Sequence, residues 1–115
     1  MATLFWLFVG HFVADYPMQS DFIARAKNRH NPMGYIPAGQ TLQVHWPWVL
    51  SAHAATHAGA VALATGNPLF GVAEFVAHFL IDVAKCENVT GIHTDQMLHL
   101  ACKVVWAWLA VGESR

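Results

Sequence analysis

The chain contains four long apolar stretches separated by short polar breaks. The stretches cover about residues 2–16, 47–65, 68–85 and 94–111 and are rich in Ala, Leu, Val and Phe. Polar residues recur within them at helical spacing, and no run alternates apolar and polar positions in the way of a half-buried strand. The pattern therefore predicts four α-helices and an all-α fold.

The breaks have a physical basis. Pro17 cannot continue the first helix, TGNP ends the second and places Pro68 at the start of the third, and Thr94 occupies a position suited to an N-cap. The long first loop contains SDFIARAKNR, which predicts a short amphipathic helix, followed by a Pro- and Gly-rich segment. We expect residues 1–115 to form a single domain, an up-down-up-down four-helix bundle.

The composition favours a membrane-embedded bundle over a soluble one. Hydrophobic residues make up 56% of the chain and charged residues 11%, whereas soluble domains have about 25% charged residues. The tryptophans lie near the ends of the stretches, as in an interfacial belt: Trp6, Trp46, Trp48, Trp106 and Trp108. The sequence thus predicts an integral, multi-pass inner-membrane bundle whose partner is the lipid bilayer, and its small residues are compatible with a homo-oligomer.

Charge defines an orientation and excludes one class of partner. Arg25, Lys27 and Arg29 lie in the first loop, and Lys85 lies at the edge of the loop after the third stretch. By the positive-inside rule, this side of the bundle is predicted to be cytoplasmic. The net charge of −1 provides no basic field of the kind that nucleic-acid binding requires.

Every predicted helix carries one pair of histidine or aspartate residues at four-residue spacing, which places both members on one helix face. The pairs are His11 and Asp15, His53 and His57, His78 and Asp82, and Asp95 and His99. The first and third pairs come late in their helices and the other two come early. An up-down-up-down bundle therefore brings all four pairs to one end, the predicted cytoplasmic end.

A divalent metal ion is the partner that these side chains suit. Imidazole and carboxylate ligands favour Zn²⁺, with Mn²⁺ or Fe²⁺ as alternatives, and two ligands four residues apart on a helix can hold one ion. Eight candidate ligands exceed the need of one tetrahedral ion. Either two ions are bound, or one ion is bound while the remaining carboxylates orient the histidines.

Four segments together resemble a family of small bacterial and phage inner-membrane proteins, domain of unknown function 3307. The segments are HFVADYPMQSDFIARAKNR, SAHAATH, HFLIDVAK and DQMLH. The matching positions are His11, Asp15, Gln19 and Lys27, then His53 and His57, then His78, Asp82 and Lys85, then Asp95, Gln96 and His99. The resemblance implies a fold and an inner-membrane location, and it transfers no activity.

The reaction that the residues favour is metal-assisted hydrolysis of a phosphate- or lipid-type substrate, in which the ion activates water and polarises the ester oxygen. Asp95 is the predicted general base, Lys27 and Lys85 would hold an anion, and Gln19 and Gln96 would contact the substrate or orient the ligands. Two alternatives stay open. The cluster could be the structural core of a non-enzymatic phage or bacterial membrane protein, or it could be a path for protons or metal ions.

Overall fold

The computed structural model describes residues 2–19, 23, 27–28, 30 and 42–113. This part of the chain forms four α-helices: α1 (Ala2–Asp15), α2 (Leu42–Thr65), α3 (Pro68–Cys86) and α4 (Ile92–Glu113). Helices α1 and α3 each pack against both α2 and α4, and α2 also contacts α4. The helices thus form a closed four-helix arrangement, and the predicted all-α class is confirmed.

The turn between α2 and α3 follows the sequence signals. Gly66 adopts a φ of 71°, which the lack of a Cβ permits at the end of α2. The side chain of Asn67 then accepts a hydrogen bond from the backbone N–H of Leu69 over 2.9 Å and caps α3, with Pro68 in its first turn. Local residue chemistry therefore determines where α3 begins.

Helix α2 begins earlier than the sequence pattern indicates. It starts at Leu42, and Pro47 lies inside it rather than at its first position. Inside a helix, the missing backbone N–H of a proline removes one intrahelical hydrogen bond, which α2 accepts at Pro47. The predicted amphipathic helix SDFIARAKNR lies largely outside the described residues; within it, the Lys27 N–H donates to the Ile23 carbonyl over 3.1 Å.

The interior of the bundle is polar and much of its outer surface is apolar. The buried polar and charged residues are His11, Lys27, His53, His57, Glu74, His78, Asp82, Asp95, His99 and Lys103. Apolar residues such as Leu7, Leu50 and Val61 fill the rest of the interior. On the outside, Trp48 is 75% exposed and Leu63 is 87% exposed. The helices therefore meet through a polar core.

The prediction of a membrane-spanning bundle is wrong. Within the described ranges, none of the helices combines the length and the apolar character that crossing a bilayer requires. Helix α1 has 14 residues, against about 20 for a spanning helix. Helices α2, α3 and α4 are longer, but buried polar groups such as His57, Asp82 and Lys103 interrupt their apolar runs. The multi-pass inner-membrane location and the cytoplasmic orientation of the site are contradicted with it.

Helix α3 approaches α2 most closely at Gly71. A Cβ at this position would lie 2.8 Å from the carbonyl oxygen of Ala58 and 3.1 Å from the Cβ of Ala62. We expect Gly71→Ala to lower the free energy of unfolding by about 1–3 kcal/mol, because a backbone carbonyl cannot move aside without separating the helices. Urea denaturation followed by circular dichroism measures this change.

Gly59→Ala is the matched control. Nothing lies within 4 Å of a Cβ at Gly59, so this substitution should stabilise α2 by up to ~1 kcal/mol through helix propensity alone. Opposite signs for the two variants are the expected result. A stabilising effect of both would show that the two helices do not pack tightly at Gly71.

Candidate metal centre

The structure brings the four histidine and aspartate pairs into one cluster inside the bundle. The closest contacts within it join different helices. Nε2 of His57 on α2 lies 3.0 Å from Oδ1 of Asp15 at the end of α1. Nε2 of His99 on α4 lies 3.2 Å from Oδ1 of Asp82 on α3. Each pair therefore meets partners contributed by another helix.

One part of the cluster is rich in imidazole nitrogen. Asp15, His53, His57 and His78 each offer one ligand atom, and these atoms lie within 4.8 Å of one another. Oδ1 of Asp15 is 3.0 Å from Nε2 of His57 and 3.4 Å from Nε2 of His53. These separations are close to the edge of about 3.3 Å in a tetrahedron whose bonds to zinc are about 2.0–2.1 Å. The four residues therefore supply the number of ligand atoms that a tetrahedral ion takes, and the two separations from Asp15 match its edge.

Three imidazole nitrogens of this group have no hydrogen-bond partner among the described residues: Nδ1 of His57, and Nε2 of His53 and of His78. The two Nε2 atoms face carboxylate oxygens. Nε2 of His53 lies 3.4 Å from Asp15 and 3.5 Å from Asp82, and Nε2 of His78 lies 3.4 Å from Asp82. None of these contacts has hydrogen-bond geometry, and both nitrogens are buried. Because buried polar atoms are nearly always satisfied in native proteins, this donor set suits a cation that contacts nitrogen and oxygen together.

His11 on α1 and His53 and His57 on α2 are neutral at physiological pH. Burial lowers the pKa of His57 to about 3, against the opposing effect of the nearby Asp15 carboxylate. Burial also lowers the pKa of His11 and of His53. Neutral imidazole is the form that binds metal ions, so these side chains are in the state that coordination requires.

Asp15 and Asp82 are ionised, which is also the state required of a ligand. Burial by itself raises the pKa of Asp15, but the imidazoles of His53 and His57 outweigh it and hold the pKa well below its usual range. The pKa of Asp82 is lowered in the same way, with burial outweighed by the imidazoles of His78 and His99.

His99 differs from His11, His53 and His57 because its pKa is raised and not lowered. Its Nε2 lies 3.2 Å from Oδ1 of Asp82 and 3.4 Å from Oδ1 of Asp95. Burial lowers the pKa of His99, but these carboxylates outweigh burial and raise the pKa to about 9. In the metal-free protein, a proton on His99 therefore balances part of the aspartate charge.

Two residues of the cluster, Glu74 and Lys103, were missed by the sequence reasoning. The Lys103 ammonium donates to Oε1 of Glu74 over 2.6 Å, and the indole N–H of Trp106 donates to Oε2 over 2.7 Å. Glu74 precedes His78 by four residues, and Lys103 follows His99 by four. The spacing that identified the pairs would have found both residues, had glutamate and lysine been included.

Glu74 also fixes the orientation of a candidate ligand. Its Oε1 lies 3.3 Å from Nδ1 of His78. Burial raises the pKa of Glu74, but contacts with His78 and Lys103 outweigh burial and lower it to about 2. An ionised carboxylate only accepts hydrogen bonds, so Nδ1 of His78 carries the proton. In the neutral imidazole with its proton on Nδ1, the lone pair is on Nε2, the nitrogen that faces Asp82, as in many carboxylate–histidine–metal arrangements.

The two lysines predicted to hold an anion lie in different environments. Lys27 is buried, and its ammonium lies 2.9 Å from Oδ2 of Asp82. The side chain of Lys85 is 36% exposed, and its ammonium lies 3.9 Å from Oδ2 of Asp95. Lys27 thus serves as a counter-ion within the cluster, whereas Lys85 is a cation accessible at the rim.

The two predicted glutamines both contact the residue at the end of α1. Nε2 of Gln96 donates to Oδ2 of Asp15 over 2.9 Å, and its Oε1 accepts from Nε2 of His11 over 2.9 Å. Nε2 of Gln19 donates to the backbone carbonyl of Asp15 over 3.1 Å. Gln96 therefore links α4 to α1. His11 has its hydrogen bond with Gln96, and its Nε2 also lies 3.6 Å from Oδ2 of Asp15.

The chain matches the family model of DUF3307, a protein of unknown function, over residues 3–114. The chain belongs to the DUF3307 family. No curated protein and no solved structure matches it. The matched range contains all four helices and the whole cluster, so the family resemblance seen in the four segments is confirmed. Membership in DUF3307 carries no activity, and the chemistry of this member is inferred from its own residues.

We expect removal of one partner of the buried Glu74–Lys103 pair to destabilise this DUF3307 protein strongly. Lys103→Met leaves the Glu74 carboxylate buried without its ammonium, at a cost of about 3–5 kcal/mol in the free energy of unfolding. Urea unfolding measures this cost. The double variant Glu74→Gln/Lys103→Met should recover most of the loss, since no buried charge remains. A Lys103→Met protein as stable as wild type would contradict the importance of the pair.

Proposed function

We propose that this protein binds a divalent metal ion and uses it to hydrolyse an anionic ester of the phosphate class. The ion would be held by four side chains: Asp15, His53, His57 and His78. The observation that carries the proposal is that Nε2 of His53 and Nε2 of His78, both buried and without hydrogen-bond partners, face carboxylate oxygens at 3.4–3.5 Å.

The donor set favours Zn²⁺. Three imidazole nitrogens and one carboxylate oxygen are ligands that zinc takes in proteins. The water to be activated would be a fifth ligand, a coordination number that zinc can adopt during catalysis. The low pKa of His57 and of Asp15 supports ligands that are deprotonated before the ion arrives. The contact between Glu74 and His78 orients the His78 imidazole before a metal ion binds.

Hydrolysis is supported by the groups next to this set. A bound divalent ion lowers the pKa of water toward ~7 and polarises an ester oxygen. The part-exposed Lys85 supplies positive charge for an anionic substrate at the rim, and Gln96 lies half-buried on the same side. Asp95 is buried, and its Oδ1 has no hydrogen-bond partner among the described residues. In a protein that holds only the zinc ion, that oxygen is available to accept a proton from water.

Elemental analysis of the purified protein tests the metal site. After incubation with Zn²⁺ and desalting, we expect at least about one tightly held equivalent of zinc per chain. The double variant His53→Gln/His78→Gln should lose this zinc. His30→Gln is the matched control, because His30 is exposed and pairs with Glu87 outside the cluster. Folded wild type that retains no zinc would leave the cluster as a structural polar core and refute the proposal.

Turnover of nitrophenyl phosphate mono- and diesters tests the reaction. We expect the zinc-loaded protein to release nitrophenol, and Asp95→Asn to reduce kcat by about 100-fold or more, as loss of a general base does. The variant should keep the zinc held by the imidazole-rich group. If Asp95→Asn turned over the esters at the wild-type rate, Asp95 would not be the general base. If zinc-loaded wild type turned over neither ester, the proposal of metal binding would stand and the proposal of hydrolase activity would be contradicted.

A further inference from the structure

We infer that the same interior contains a second cation site, formed by Asp82, Asp95 and His99, and that an anion of the phosphate class binds together with this second ion. The inference rests on the proposed function, because the second site adjoins the imidazole-rich one. It goes further by adding a second cation site and by naming the class of anion that binds with the second ion.

The three residues have the geometry of a ligand set. One ligand atom from each lies within 4.8 Å of the other two. Nε2 of His99 is 3.2 Å from Oδ1 of Asp82 and 3.4 Å from Oδ1 of Asp95. All three side chains are buried, with exposed fractions of 1–2%. Two buried carboxylates in contact with one imidazole provide a site for a cation, which would replace the proton on His99.

An unsatisfied oxygen points independently to a ligand. Nε2 of His99 makes its hydrogen bond to Oδ1 of Asp82. Oδ1 of Asp95 is left without a hydrogen-bond partner in the described part of the chain, although it is buried. A single N–H cannot satisfy both carboxylates, whereas a cation that contacts all three residues would do so.

Asp82 joins the second site to the first. Its Oδ1 faces His99, while its Oδ2 lies 3.4 Å from Nε2 of His78 and 3.5 Å from Nε2 of His53. The two oxygens of one carboxylate are therefore directed at the two ligand sets. Carboxylates in this position are a common feature of sites that hold two ions a few ångströms apart.

The lysines explain both the orientation of the aspartates and the need for an anion. Oδ2 of Asp82 contacts the Lys27 ammonium at 2.9 Å, and Oδ2 of Asp95 contacts the Lys85 ammonium at 3.9 Å. Each aspartate thus gives one oxygen to a lysine and turns the other toward His99. Because the two lysines already balance the two aspartates, a divalent ion adds uncompensated positive charge. An anion that enters beside the part-exposed Lys85 would balance it.

The donor atoms also separate the two sites by metal preference. Two carboxylate oxygens and one imidazole suit Mn²⁺, whereas the imidazole-rich set suits Zn²⁺. Mn²⁺ binds nitrogen ligands more weakly than Zn²⁺ does, so it should not displace a zinc ion from the first site. A protein loaded with one equivalent of zinc should therefore accept manganese only at the second site.

The test is titration of the zinc-loaded full chain with MnCl₂, with free Mn²⁺ measured by electron paramagnetic resonance. We expect about one equivalent of Mn²⁺ to bind, and inorganic phosphate to tighten this binding by about 5-fold or more. Asp95→Asn and His99→Gln should each weaken Mn²⁺ binding by more than about 10-fold. Both variants should retain the zinc equivalent, which shows that they are folded, and His30→Gln should bind both ions like wild type.

The outcomes separate this inference from the proposed function. A chain that holds zinc but takes up no Mn²⁺, with or without phosphate, overturns the inference and leaves the proposed function standing. Mn²⁺ binding that survives both substitutions overturns the assignment of these residues. If phosphate does not change Mn²⁺ binding, the inference that an anion binds together with the second ion is overturned. A chain that retains no zinc, but whose Mn²⁺ uptake is lost in Asp95→Asn, supports the second site and refutes the first.

Discussion

The burial of charged side chains between four helices is the constraint on which the rest of this structure depends. An ionised group removed from water costs several kcal/mol unless an opposite charge or a hydrogen bond compensates it. Here the compensation comes from another helix or from the first loop, as in the contacts Asp15–His57, Asp82–Lys27 and Glu74–Lys103, at 3.0, 2.9 and 2.6 Å. The register of the helices is therefore tied to the pairing of these groups.

The polar interior divides into a satisfied part and an unsatisfied part. Both carboxylate oxygens of Glu74 accept hydrogen bonds, from Lys103 and Trp106. This part of the interior joins α3 to α4 next to His78. Around His53, His78 and Asp95, by contrast, buried atoms lack hydrogen-bond partners within the described residues. A fully paired network stabilises a bundle, whereas unpaired ligand atoms favour the binding of an ion. This contrast is why we assign ion binding to the residues around His53, His78 and Asp95 and a structural role to Glu74.

Composition misled the prediction of a membrane protein for a physical reason. A hydrophobic share of 56% is a property of the whole chain, whereas crossing a bilayer depends on one unbroken apolar run. The side chains that build the interior cluster interrupt α2, α3 and α4, and α1 has only 14 residues. The family resemblance carried the same expectation of a membrane location, which the helices contradict.

The sequence by itself determined the four helices, the break before Pro68, and the recurrence of ligand-type residues, because helical periodicity and chain breaks are local properties. Only the tertiary structure decided which atoms meet. The position of Asp82 between the two ligand sets, and the burial of Lys27 against it, depend on the rotation and separation of the helices. Packing sets both, as at the contact of Gly71 with Ala58, and no spacing along one helix encodes them.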